Sequence, residues 1–199
     1  MEPVVEKKPR RKAIPAFLVY EEMDGKPIYR KGYKEVLAKK KSFEEIMGSS
    51  VLQTVIINAI LRFLYRNLPD NYIIGTNEAG LHLAKGNNLS NDIAVYDKKD
   101  IPDQFSKNYF DITAKFVIEV DIRAEAEHFA TEKDYVYGKT TKMLAFGVPR
   151  IIWITTESRK LMVAEPGKDW IVADWNREVE LMEGLRLNLE ELLKAEGLL

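Results

Sequence analysis

"KFVIEVDIRAE", residues 115–125, decides how this chain is read. Phe116, Val117, Ile118, Val120 and Ile122 mark a strand built for burial, yet the same stretch carries Glu119, Asp121 and Arg123. Residues two apart in an extended strand share a face. The pattern therefore predicts all three charged groups on one side of a core strand. A buried charge is costly unless it is paired or bound to a metal ion, so this face calls for a cation, supplied by a metal or by an ion-pair partner.

Working outward, the 199 residues are 46% hydrophobic, which suits a single domain with a real core. The expected organisation is a flexible basic tail at 1–15, "MEPVVEKKPRRKAIP", followed by one domain over 16–199. The net charge of -1 lacks the global basic bias of many nucleic-acid binders but leaves room for a local patch. With no cysteine, disulfides and thiolate metal sites are excluded, and a reducing compartment fits. Two histidines, His82 and His128, do not make a multi-histidine zinc site. A metal would have to be held by oxygen, which points to magnesium or manganese. No apolar run approaches the ~20 residues of a membrane span, and the first residues lack the apolar segment of a signal peptide. A cytoplasmic location is the expectation. Neither G-x-x-x-x-G-K-[ST] nor G-x-G-x-x-G occurs, and no serine sits in a nucleophile elbow. Nucleotide hydrolysis, dinucleotide binding and acyl transfer therefore have no support.

"FLVYEEMDGKPIYRKGY" predicts a hairpin turning on Asp24-Gly25. "SFEE" at 42–45 matches a capping box that opens a short helix. "VLQTVIINAILRFLYRNL" is apolar at helical spacing and stops at Pro69-Asp70. "NYIIGT", "GLHLA" and "NDIAVY" predict three strands. After the central strand, "ATEKDYVYGKTTKMLAFG" predicts a helix with Thr131 as N-cap and Gly147 at its stop. "VPRIIWITT" is a buried strand, so residues 115–155 form a strand–helix–strand crossover with a parallel pair. "KLMVAE" and "DWIVADW" pair as a hairpin, and "LNLEELLKAEG" closes the chain as a helix.

A metal-dependent phosphodiesterase needs at least two carboxylates on rigid neighbouring strands, and a lysine to polarise water or stabilise developing charge. Asp92 in "SNDIAVY", Glu119 and Asp121 supply the carboxylates, and Lys139 on the following helix the cation, with Lys142 one turn along as the alternative. This arrangement resembles the restriction-endonuclease-like superfamily with its PD-(D/E)XK motif. More narrowly, it looks like the Uma-type endonuclease-like family, long filed as a domain of unknown function. The resemblance runs from about residue 15 to the end. It is carried by "EEIMGSSVLQTVI", "NDIAVYD", "FVIEVD" and above all "KTTKMLAFGVPRIIWI".

The resemblance implies an α/β fold: a restriction-endonuclease-like mixed central β-sheet flanked by helices, with an N-terminal β-hairpin. It implies Asp92 and Glu119 as ligands of Mg2+ or Mn2+, with Lys139 as a lysine migrated from the strand to the helix. It also implies a glutamate on an early helix, Glu45 or else Glu44, completing the site. DNA is the implied substrate, and a homodimer would bring two sites to two strands. The chain departs from the family pattern at Asn91, where proline is usual, at Asp121, where lysine would stand, and at Met143, where tyrosine is usual.

Each residue also has a plainer reading. Asp92 could be a turn residue and Glu119 a strand-end ion pair. Asp121 could pair with Arg123, Lys139 could be a solvated helix lysine, and Glu45 belongs to the capping box. His128 is a loop residue unless its loop folds over a metal, and His82 alternates outward between Leu81 and Leu83. The functional alternative is a catalytically silent module that keeps the fold and binds nucleic acid or a partner.

Overall fold

The computed structural model describes residues 14–125 and 129–199. The basic stretch at 1–13 and His128 lie outside them. β1 (Val19–Met23) and β2 (Lys26–Arg30) form the expected hairpin. Asp24 and Gly25 both have positive φ, 51° and 70°, which matches the right-handed twist of the flanking strands. Two short helices follow, α1 (Tyr33–Leu37) and α2 (Glu44–Met47). In α3 (Val51–Asn67) the Ser50 side chain accepts the Gln53 N–H, while Ile56, Ala59, Ile60 and Leu64 form the buried stripe. The two strands expected from "NYIIGT" and "GLHLA" are one: β3 (Tyr72–Ala84) runs along the whole of β4 (Asn87–Asp97). A register shift between Thr76 and Ala79 absorbs Asn77 and Glu78, whose φ values are +60° and +59°. This is a bulge, not a strand end.

β5 (Phe116–Val120) is buried at every position, and a two-residue β6 (Ala124–Glu125) follows it. α4 (Glu132–Phe146) starts and stops where the sequence predicts. Thr131 Oγ1 accepts the Asp134 N–H, and Gly147 at φ 110° closes the last turn with Val148 N–H bonded to Met143 C=O. β7 (Ile151–Thr155) then pairs parallel to β5, so the expected crossover is present. β8 (Lys160–Ala164) and β9 (Ile171–Asp174) form the later hairpin. β10 (Val179–Met182) pairs with β11 (Leu185–Leu187) in a small second sheet, and α5 (Leu189–Ala195) closes the described chain.

The main sheet runs β6-β2-β1-β4-β5-β7-β8-β9, with β3 on the other edge of β4. It is a mixed sheet covered on both faces. Ile93, Val95, Phe116, Ile118 and Ile152 meet α3 and α5 on one face; Ala94, Val117, Ile151 and Trp153 meet Tyr135 and Met143 of α4 on the other. No helix among the described residues is long and apolar enough to cross a membrane.

One feature of the topology positions the site. β3 occupies one edge of β4 throughout, so β1 and β5 must share the opposite edge. β1 pairs at Asn88 and β5 at Ile93–Val95. Between them the sheet forks, and Ser90, Asn91 and Asp92 lie in the fork.

Gly147 is the position where the helix stop needs left-handed backbone, and an added Cβ there would meet only ordinary contact with Thr113. Gly147→Ala is expected to cost about 1 kcal/mol, from backbone conformation alone, in urea unfolding with an unchanged m-value.

Candidate functional site

At the fork, backbone groups that a ladder would pair are left over, and burial makes leaving them unpaired expensive. Side chains take over. Asp92 Oδ2 accepts the Val120 N–H at 2.8 Å, and Gln53 Nε2 donates to the Val120 carbonyl at 2.6 Å. Glu21 Oε1 accepts the Ser90 N–H at 2.9 Å, and Lys139 Nζ donates to the Ser90 carbonyl at 2.6 Å. Four side chains from β4, α3, β1 and α4 thus converge because the sheet divides. Glu119, one residue before Val120 on β5, joins them.

The cluster is almost wholly buried: Asp92 is 4% exposed, Glu119 2% and Lys139 0%. Lys139 comes from the inward stripe of α4 with Tyr135, Thr140 and Met143. Its ammonium stands 2.8 Å from Glu21 Oε1 and 3.0 Å from Glu119 Oε1. The contact to Glu119 is an ion pair rather than a well-aligned hydrogen bond: Lys139 is the partner of Glu119 Oε1, and among the described residues no other side chain or backbone group donates to that oxygen. Tyr135 Oη donates to Glu21 Oε2 at 2.7 Å, and the Trp153 ring lies 5.6 Å from the ammonium, its indole N–H held by Thr140.

Burial pushes the Glu119 carboxyl up to about 8; the Lys139 charge opposes this, while Asp92 and Glu21 add to it. Burial also raises Asp92, against its bond from Val120 and the charge of Lys139. For Lys139, burial works against the charged form, but the fields of Glu119 and Glu21 prevail and hold it well above the usual lysine range. The surrounding carboxylates thus favour the charged form of Lys139, which ion-pairs with Glu119 and Glu21.

Asp92, Glu119 and Lys139 are brought together as the sequence predicts. Asp121 is not. β5 ends at Val120, and Asp121 takes φ +59°, which breaks the two-residue alternation. Its two oxygens accept the Thr156 N–H and hydroxyl, each at 2.8 Å. Glu119, Asp121 and Arg123 therefore do not share one strand face. Glu45 is exposed and its carboxylate accepts the Ser42 N–H at 2.7 Å, half of the expected capping box; Phe43, not Ser42, is the N-cap, no side chain among the described residues caps the helix, and Glu45 stays out of the cluster. Glu44 is exposed as well. The early-helix residue at the fork is Gln53, and Lys142 instead pairs with Asp24 at 2.5 Å.

Sequence reasoning missed Glu21 and Gln53. Each carried a signal: a glutamate within the apolar run "FLVYEEM", and a polar residue on the helical stripe shared by Ile56 and Ile60.

Among the described residues no group of three or more His, Asp or Glu is arranged to hold a metal ion. Two carboxylates remain. Magnesium keeps much of its water and is often bound by one or two carboxylates together with substrate phosphate. Asp92 and Glu119, two buried carboxylates whose charged forms burial disfavours, are the pair such a site would use. Asp92 is reached from a cleft of about 230 Å³ lined by Thr54, Ile57 and Asn58 of α3, Asn77 and Glu78 of β3, and Arg123.

A solved structure from Anabaena variabilis ATCC 29413, described as a "putative nuclease belonging to DUF820", superposes on this chain with a TM-score of 0.61. The match covers 87% of this chain and 89% of that one, at 16% sequence identity. At that identity the likeness shows the fold, which is nuclease-like. No family model matches the chain, and no curated protein does.

The raised Glu119 carboxyl has a stability consequence. Between its unfolded value near 4.5 and its folded value of about 8, the folded chain binds more protons than the unfolded one. Its contribution is therefore complete below the unfolded value and lost as pH rises through about 8. In chelator, urea unfolding at pH 6 and pH 9 is expected to show a loss of about 3 kcal/mol from this group, and Glu119→Gln should flatten that decline.

Proposed function

We propose that this chain is a metal-dependent endonuclease that hydrolyses phosphodiester bonds in DNA, in the manner of the PD-(D/E)XK and Uma-type proteins it resembles. The observation that carries the reading is the meeting of two buried carboxylates, Asp92 and Glu119, with the Lys139 ammonium at a fork in a nuclease-like sheet. Asp92 and Glu119 would hold Mg2+ or Mn2+. When bound, that ion would polarise the scissile phosphate and lower the pKa of a coordinated water. The chain's own part is positioning. Val120 and Gln53 fix the end of β5, Asp92 is anchored by the Val120 N–H, and Glu21 with Tyr135 locks Lys139 against Glu119. Two copies would present two such sites to a duplex, which is the basis for a homodimer.

The rival reading, a silent module that binds nucleic acid or a partner, draws on the enclosure of Lys139 and the lack of a third acidic ligand among the described residues. Supercoiled plasmid separates the two. Wild type with Mn2+ or Mg2+ is expected to nick it, and chelator should abolish the nicking. Asp92→Asn and Glu119→Gln should each lose roughly 100-fold or more, as expected when a preorganised electrostatic group is removed. Binding of the plasmid without nicking, unchanged by chelator and by both substitutions, would establish the silent module.

A further inference from the structure

Next to the cluster, Arg30, Glu78 and Arg123 form an arrangement that the carboxylate site does not use. Arg30 holds Glu78 with both ends of its fork, Nη1 to Oε1 and Nη2 to Oε2, each at 2.9 Å. Arg123 Nη1 shares Glu78 Oε1 at 2.9 Å, its Nε donates to Gln53 Oε1 at 3.2 Å, and its Nη2 contacts the Ser49 hydroxyl. Glu78 reaches both arginines because the β3 bulge turns it, through two consecutive left-handed residues that are not glycine. Such backbone persists only where contacts compensate it; here the two guanidiniums do. Burial raises the Glu78 carboxyl, but the bonds and charge of Arg30 and the charge of Arg123 outweigh it and keep it below the usual range.

Two guanidiniums against one carboxylate leave one positive charge in excess. The pair is part-buried, with side-chain exposures of 19% for Arg30 and 17% for Arg123, and the Arg30 Nε has no acceptor. Arg123 and Asp92 line the same cleft. A guanidinium fork matches the oxygens of a phosphate. A metal ion held by Asp92 and Glu119 would neutralise the neighbouring carboxylates and leave the Arg123 charge facing the cleft.

We propose that Arg123, braced by Glu78, Arg30 and Gln53, clamps a backbone phosphate of a nucleic-acid strand lying in the cleft beside Asp92. This rests on the nuclease reading. Arg123 is a substrate-positioning residue, and Glu78 sets its orientation. The plainer alternative is that the three side chains only tie β2, β3 and the segment after β5 together.

The salt dependence of binding tells the two apart, because each phosphate contact contributes about 0.9 to the slope of log K against log salt on duplex DNA. A fluorescein-labelled DNA duplex would be titrated by anisotropy, with calcium in place of magnesium, at several salt concentrations. Wild type, Arg123→Ala, Arg123→Lys and the distant control Arg186→Ala would be compared, with folding checked by circular dichroism. The clamp predicts that Arg123→Ala shrinks the slope by about 0.9, while the control does not. It also predicts that Arg123→Lys keeps the slope but binds several-fold more weakly, since the charge remains and the fork is lost. Should Arg123→Ala unfold, Arg123→Lys alone decides: weaker binding at equal slope supports the clamp, unchanged affinity overturns it. A folded Arg123→Ala with the wild-type slope overturns it too, and leaves the nuclease reading intact if the wild type still nicks plasmid. A wild type that neither binds duplex nor nicks plasmid overturns both.

Discussion

A sheet that divides along one edge must satisfy the backbone groups exposed where it divides. Here β1 and β5 part company on the edge of β4, and Ser90 and Val120 are left with both N–H and C=O outside the ladder at the points where side chains meet them. An unmet buried backbone group costs about 1–3 kcal/mol. The demand for two acceptors and two donors fixes Asp92, Glu21, Gln53 and Lys139 in place. The candidate site is thus a consequence of topology, and its geometry is held by main chain that cannot move without breaking the core on both faces.

The same enclosure sets the electrostatics. Three carboxylates, Glu21, Asp92 and Glu119, surround one ammonium, with tyrosine hydroxyl and indole filling the remaining space. One cation cannot neutralise three buried anions, and the imbalance falls on Glu119 and Asp92, whose carboxyls are both raised. Removing the ammonium would leave uncompensated buried charge, a change that typically costs about 3–5 kcal/mol. Lys139 therefore holds the fold and the site together at once. A divalent ion at Asp92 and Glu119 would supply the two positive charges that the cluster lacks, which is the physical basis of the metal site proposed above.

Much of this was legible in the sequence, and the failures are instructive. The caps of α4 at Thr131 and Gly147 and the parallel pair around it follow from local chemistry and spacing, while the roles of Asp92, Glu119 and Lys139 came from the family resemblance. Asp121 misled because alternation assumes that the strand continues, and a single left-handed residue ended it. Asn77 and Glu78 look like a break between two strands, yet β4 is long enough to carry both halves across a bulge. Glu21 showed locally only as a glutamate inside an apolar run; its partners lie far away in sequence, and β1 carries a register irregularity there, so the pattern gives no hint of what it meets. Glu45 turned its carboxylate back to the Ser42 N–H, half of the expected capping box, whereas Gln53 was visible as the polar interruption of an apolar stripe.

The central claim is that the imbalance at the fork is filled by a divalent cation, and manganese binding tests it most directly. Mn2+ would be titrated against wild type and Glu119→Gln and followed by electron paramagnetic resonance, with and without a DNA duplex, and with near-ultraviolet circular dichroism confirming the fold. The account predicts that wild type immobilises the ion and that the folded variant does not. Equal binding by the two proteins, or no binding by wild type even with DNA present, would contradict it.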